Sequence, residues 1–477
     1  MRYRMRSCRN ERRYPLGAIV AAGWLVALAQ GTPAIAAVGA PVQLLPTAPG
    51  TAPAIPEAPS PPTPAPAEEA ITATPLPPVD AAWSGAPGET AKPLPKTMWA
   101  GTPRALVAAA LPLLGPTTSP TLQELSRRLL ASDAEAPAGQ DAPDRPGVAA
   151  LRIERMAALG EVEAALGVLA ALPATLRSEA LDRLQVELSF ARNDRDGACR
   201  RVQDNIGRYQ GLWWDRALIA CQALAGDQAK AGLGLALLRE QQAAPDPAFD
   251  ALIGALGGRP AKLDKLPQPT PMLMTLLAAA KLPLPSDALA GADLPSLRAW
   301  AGNTAVAPAQ RLAAAERAAE LGALAPAALA EIYGAVEFKP DELGAAIKQR
   351  KPPSTPRERA LLYQVARTDP AAGARAAALE ALLVEARKRG LFIAMARVVG
   401  PILAELPPSP DLATIAPDAV RALYAAERPD LVAGWQAVIG QGAAPTLPVL
   451  ERIAQGEAGP APDGAAVESA LVALSKR

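Results

Sequence analysis

The sequence predicts an all-α chain built from antiparallel helix pairs. A helix-to-helix break recurs at Gly160-Glu161, Asn193-Asp194 and Gly226-Asp227, 33 residues apart each time. Half of the residues are hydrophobic, but aromatics are only 4% and alanine dominates the apolar set, which suits closely approaching helices better than a thick β core. No sustained β alternation and no Asn-Gly hairpin turn interrupts the helical pattern.

Residues 1–36 read as an export signal. Arg2, Arg4, Arg6, Arg9, Arg12 and Arg13 form a basic start, Ala18 to Ala29 an apolar run, and Ala34-Ile35-Ala36 a small-residue end. The apolar run is shorter than the roughly 20 residues that span a bilayer, so cleavage is expected rather than anchoring, leaving no integral membrane span. The chain is therefore expected to be exported, with the bacterial periplasm as its compartment. Arg12-Arg13 invites a twin-arginine reading, which Pro15 and its neighbours fit poorly. Cys8 would leave with the signal, and the remaining cysteines, Cys199 and Cys221, would then sit where disulfides persist.

Residues 37–100 are rich in proline and alanine, as in APAIPEAPSPPTPAPAEEA, and are expected to form a disordered linker. Proline fixes φ and removes a hydrogen-bond donor, so such a tract builds no core. Where polyproline-like, at about 3.1 Å per residue, the part up to Lys96 would reach at most about 180 Å. Residues 101–258 are expected to hold the N-terminal helical repeats, 259–307 a connector with short helices, and 308–477 a second, degenerate set. Within these, PRALVAAALPLLG and TLQELSRRLLAS read as short amphipathic helices and MLMTLLAAAK as a buried one.

The three breaks share more than their spacing. Ala165, Ala198 and Ala231 follow five residues after the first residue of each break. Ile153, Val186 and Ile219 precede it by seven, and Val148, Leu181 and Trp214 by twelve. Gly or Asn can end one helix in the left-handed conformation, and an acidic residue suits the start of the next. At these residues the chain resembles tetratricopeptide-type (TPR-like) repeats over about 148–240, a fifth of its length. The resemblance implies an α-solenoid with a period of about 33 and a concave face that binds a peptide or protein segment.

Between the second and third breaks, RDGACRRVQDNIGRYQGLWWDRALIACQALAGD reads as two helices joined by GRYQG, with Cys199 and Cys221 each eleven residues from the turn. Both fall roughly 16 Å from it on facing helices, which predicts a disulfide. Arg208, Tyr209, Trp213, Trp214 and Arg216 cluster at this turn, where aromatics are otherwise scarce. Two readings stand: a partner-binding patch, since Trp and Arg are enriched at binding hot spots, or core, since Trp214 shares the apolar row with Val148 and Leu181.

The sequence gives no catalytic, metal-binding or cofactor-binding residue. It contains no histidine, which excludes Ser-His-Asp triads, Cys-His pairs and HExxH zinc sites. Gly232 and Gly234 begin a Gly-x-Gly, but Leu237 stands where a third glycine belongs. Acidic residues next to basic ones, as in Glu316-Arg317 or Glu385 with Arg387 and Lys388, read as solvated helix surface. The formal net charge of +1 supplies no reason for a nucleic-acid partner. The sequence thus points to an exported, non-catalytic scaffold for a protein or peptide partner in the cell envelope. A helical-solenoid enzyme acting on the cell wall through carboxylates, and a purely structural envelope protein, are the alternatives.

Overall fold

The computed structural model describes residues 83–86, 92–143, 145–241, 246–346, 348 and 352–439, all within one compact unit, Leu76–Arg477. The expected export signal, most of the expected linker and residues 440–477 lie outside the described residues. Among the described residues there are twenty α-helices and no strand.

Helices α1 (Arg104–Ala110) and α2 (Pro120–Ala131) precede three pairs: α3 (Val148–Ala158) with α4 (Val162–Ala171), α5 (Glu179–Ala191) with α6 (Arg195–Asn205), and α7 (Leu212–Leu224) with α8 (Gln228–Gln241). Next come α9 (Pro247–Leu256), α10 (Pro271–Ala279), α11 (Ser286–Gly291) and α12 (Leu294–Ala301). The remainder is α13 (Pro308–Glu320), α14 (Pro326–Gly334), α15 (Pro340–Ala346), α16 (Pro356–Thr368), α17 (Ala372–Lys388), α18 (Phe392–Ala404), α19 (Ala416–Ala425) and α20 (Val432–Gln436). Among the described residues no helix is long and apolar enough to cross a membrane.

The three breaks are built alike. Gly160, Asn193 and Gly226 have φ of 81°, 63° and 82°. The amides of Glu161, Asp194 and Asp227 reach back to the carbonyls of Met156, Ser189 and Gln222, each at 2.9 Å, which satisfies carbonyls the ending helix would leave open. All three apolar rows, from Val148, Leu181 and Trp214 to Ala165, Ala198 and Ala231, lie buried. At Gly160 the need for glycine is also steric, because an added Cβ would lie 3.0 Å from the Ala323 Cα and 3.4 Å from the Leu294 Cβ.

Prolines open helices more than they interrupt them. One stands at the first or second position of α2, α9, α10, α12, α13, α14, α16 and α19, where its fixed φ suits the first turn and its missing donor costs nothing. Polar caps add to this framing. Thr355 accepts from the Glu358 amide while the Glu358 carboxylate accepts from the Thr355 amide, closing a capping box on α16.

Packing joins neighbours in sequence and also distant elements. Helix α5 lies against α10 and α12, and α14 lies against α18. One apolar core runs from Val186 to Trp435, crossing the divisions expected at 258 and 307, while a second gathers Trp83 with α1 through α5.

The sequence reading needs two corrections. Residues 83–86 and 92–100 are not free linker: Trp83 is buried edge-on against Trp99 at 5.7 Å, under the Arg104 guanidinium. The Ala86 amide bonds to Ala131 O at 2.9 Å and the Leu94 amide to Ser132 Oγ at 2.8 Å, so this stretch clamps onto the end of α2. Glu316 is not solvated surface. It is buried on α13, where Arg359 holds it through two hydrogen bonds of 2.8 and 2.6 Å and the Tyr333 hydroxyl donates a third at 2.7 Å.

Candidate functional site

Cys199 on α6 and Cys221 on α7 form a disulfide with Cα atoms 5.5 Å apart, as the hairpin geometry predicts. The aromatic cluster at the turn is brought together by α5, which the sequence reading did not connect with it. The Trp214 indole N–H donates to Glu179 Oε1 at 3.1 Å, and Tyr209 stacks on the Trp214 ring at 5.3 Å. The Tyr209 hydroxyl donates to Asp182 Oδ2 at 2.8 Å, and burial together with that carboxylate pushes its pKa up. Asp182 also pairs with Arg177 at 2.7 Å and with Arg208 at 3.7 Å.

Trp214 is 0% exposed, so it leaves the partner-binding patch: its ring fills the apolar row it shares with Val148 and Leu181. Trp213 packs edge-on against Trp214 at 4.8 Å and lies beneath the Arg183 guanidinium. The Arg216 guanidinium lies against Asp246 at 3.5 Å, before α9. Arg208, with 58% of its side chain exposed, is the part of this cluster that faces outward. The arrangement locks a turn.

Behind Trp213 lies a carboxyl that the sequence did not mark. Glu187 of α5 accepts the Met272 amide at 3.0 Å, with further hydrogen bonds from Thr270 and Trp213. Burial, with Asp293 nearby, pushes its pKa up to about 7. A raised carboxyl beside a second one suggests acid-base chemistry, but both serve helix starts: Glu187 at α10, and Asp293 at α12 through the Ser296 amide at 2.9 Å.

A cleft of about 990 Å³ lies elsewhere, between α2, the α13–α14 turn and the start of α18. That volume is at the upper end of the roughly 300–1,000 Å³ typical of ligand pockets. Helix α2 is held at its wall by Gln123, whose amide nitrogen bonds to Thr117 O at 2.6 Å and Glu320 O at 3.2 Å. Six cationic side chains line the cleft against four acidic ones, a positive surplus of two. Arg127 chelates Glu124 at 2.9 and 2.8 Å; that pairing, with Arg128 and Arg397 close by, holds the Glu124 pKa low. Arg397 pairs with Glu427 at 2.9 Å, and Arg387 and Arg421 share Asp418. Leu391, Phe392 and Ile393 add an apolar edge, with Arg387 over the Phe392 ring.

This cleft joins residues some 300 positions apart, such as Gln123 and Glu427, and no local motif announces it. Among the described residues no three His, Cys, Asp or Glu side chains gather as a metal site. The chain matches no family model, no curated protein and no solved structure.

Proposed function

We propose that this protein is an exported helical-repeat scaffold that binds, without catalysis, a protein or peptide segment in the cell envelope. The observation that carries the reading is the cleft beside α2, where arginines with a surplus of positive charge adjoin the apolar edge at Phe392 and Ile393. A segment with acidic side chains and one or two apolar ones fits that lining. The like-built breaks at Gly160, Asn193 and Gly226 support a TPR-like solenoid of period about 33 across α3 to α8. The Cys199–Cys221 disulfide supports export, since such bonds persist in oxidising compartments.

The test is a photo-crosslinking side chain placed at Ile393 in the full exported chain. The expected result is one discrete envelope protein trapped there, with the adduct lost in an Arg128→Glu, Arg397→Glu variant that keeps its helical circular dichroism. Adducts formed from a probe at Arg208 and none from Ile393 would move the binding face to the hairpin. Wall fragments as the sole adduct, with their hydrolysis in solution, would favour the carboxylate enzyme instead.

A further inference from the structure

Helix α8 is apolar on two sides. Ala231, Leu235 and Leu238 pack inward, yet Leu233 and Leu237 stand 64% and 50% exposed on the opposite side. A groove of about 360 Å³ runs beside them between α7 and α8, past Leu218 and Gly234. Leucines one turn apart over a groove form a ridge beside a hollow, a shape that fits a second helix.

The charges that flank the ridge identify that helix. Lys230, Leu233, Leu237 and Glu240 follow one another at steps of three, four and three, which puts them on one face of α8 in a heptad-like stripe. The stripe is self-complementary when reversed. An antiparallel copy centred on position 235 sets Leu233 against Leu237 and Lys230 against Glu240, twice over by two-fold symmetry. The positions beside the axis, Gly234 and Ala236, carry no bulk that would hold the helices apart. Among the described residues Lys230 pairs with Asp227, an exposed bond at 2.6 Å that exchanges readily for another carboxylate.

The geometry points to a second copy of this chain as the occupant of this face: two molecules join through antiparallel α8 helices, with a core of four leucines and two Lys230–Glu240 pairs. The inference stands apart from the cleft, which lies on other helices.

Sedimentation of the full chain, without its export signal, tests this. Wild type should sediment as a dimer. Leu237→Glu should be monomeric, and so should Lys230→Glu and Glu240→Lys, each of which sets like charges against each other and weakens association at least tenfold. An equimolar mixture of those two charge variants should dimerise, because every pair across that interface is again opposite in sign. All these positions are exposed, so unchanged circular dichroism confirms that each variant is folded. Monomeric wild type would overturn the proposal. So would a dimer indifferent to the charge changes, or single variants that remain monomeric when mixed.

Discussion

Arg359 reaches Glu316 across 43 residues and closes on it with two hydrogen bonds, at 2.8 and 2.6 Å. The guanidinium is also bound by the carbonyls of Pro353 and Ser354, so the pair fixes the start of α16 against α13. With Arg359 0% exposed, removing one partner strands the other charge in an apolar setting. Arg359→Ala should therefore destabilise the chain by about 3–5 kcal/mol in denaturant unfolding. An Arg359→Met, Glu316→Met double variant should lose less than Arg359→Ala alone.

The disulfide closes a loop with a sequence separation of 22, which in the chain-entropy picture contributes about 3 kcal/mol by restricting the unfolded state. Cys199→Ser with Cys221→Ser should lower stability by about that amount, and reductant should destabilise the wild type but leave the variant unchanged. Equal stability of the two in oxidising buffer would count against it.

Glu187 ties stability to pH in an unusual direction. Its pKa is pushed from 4.5 to about 7, so between those values the folded chain keeps a proton that the unfolded chain has lost. Its contribution to stability therefore falls as pH rises through that window. Glu187→Gln should remove this component and gain on the wild type by on the order of 1–3 kcal/mol between pH about 4.5 and about 8. Denaturant melts of both proteins across the window measure it, and parallel curves would refute the assignment.

Gly160 meets two demands at once, a φ of 81° and close contact with Ala323. Gly160→Ala should cost about 2 kcal/mol or more, through left-handed strain together with displacement of the α13–α14 turn. Gly226→Ala, with the same φ and open space around it, should cost about 1 kcal/mol. Comparing their unfolding midpoints separates packing from conformation.

Local rules made the helix pairs legible. The positions around 160, 193 and 226 repeat because each must end a helix, start another and bury a small alanine, and short-range sequence records all three. The disulfide followed from the same hairpin. What sequence could not carry was distance. Nothing around Trp83 distinguishes it from a proline-rich spacer, because what buries it is Trp99 and the end of α2. Glu316 next to Arg317 looks like ordinary solvated charge, yet its partner is Arg359. Trp214 and Tyr209 resemble a hot spot in isolation, and the carboxylates of α5 that satisfy them lie about thirty residues upstream. The cleft is assembled from stretches scattered between Lys92 and Glu427, so its lining became a set only in three dimensions.

The packing of α5 on α10 and α12 gives this molecule a direction in time. Glu187 waits for the amide of Met272, 85 residues later, and a chain that emerges N-terminus first carries the bare face of α5 until that segment arrives. A fragment cut at 258, where composition invites a boundary, would keep three helix pairs but leave that face wet and adhesive. The halves are thus not modules to be shuffled or expressed separately. The first is a half-finished surface that the second completes, and any factor that escorts this protein during its synthesis has that interval in which to act.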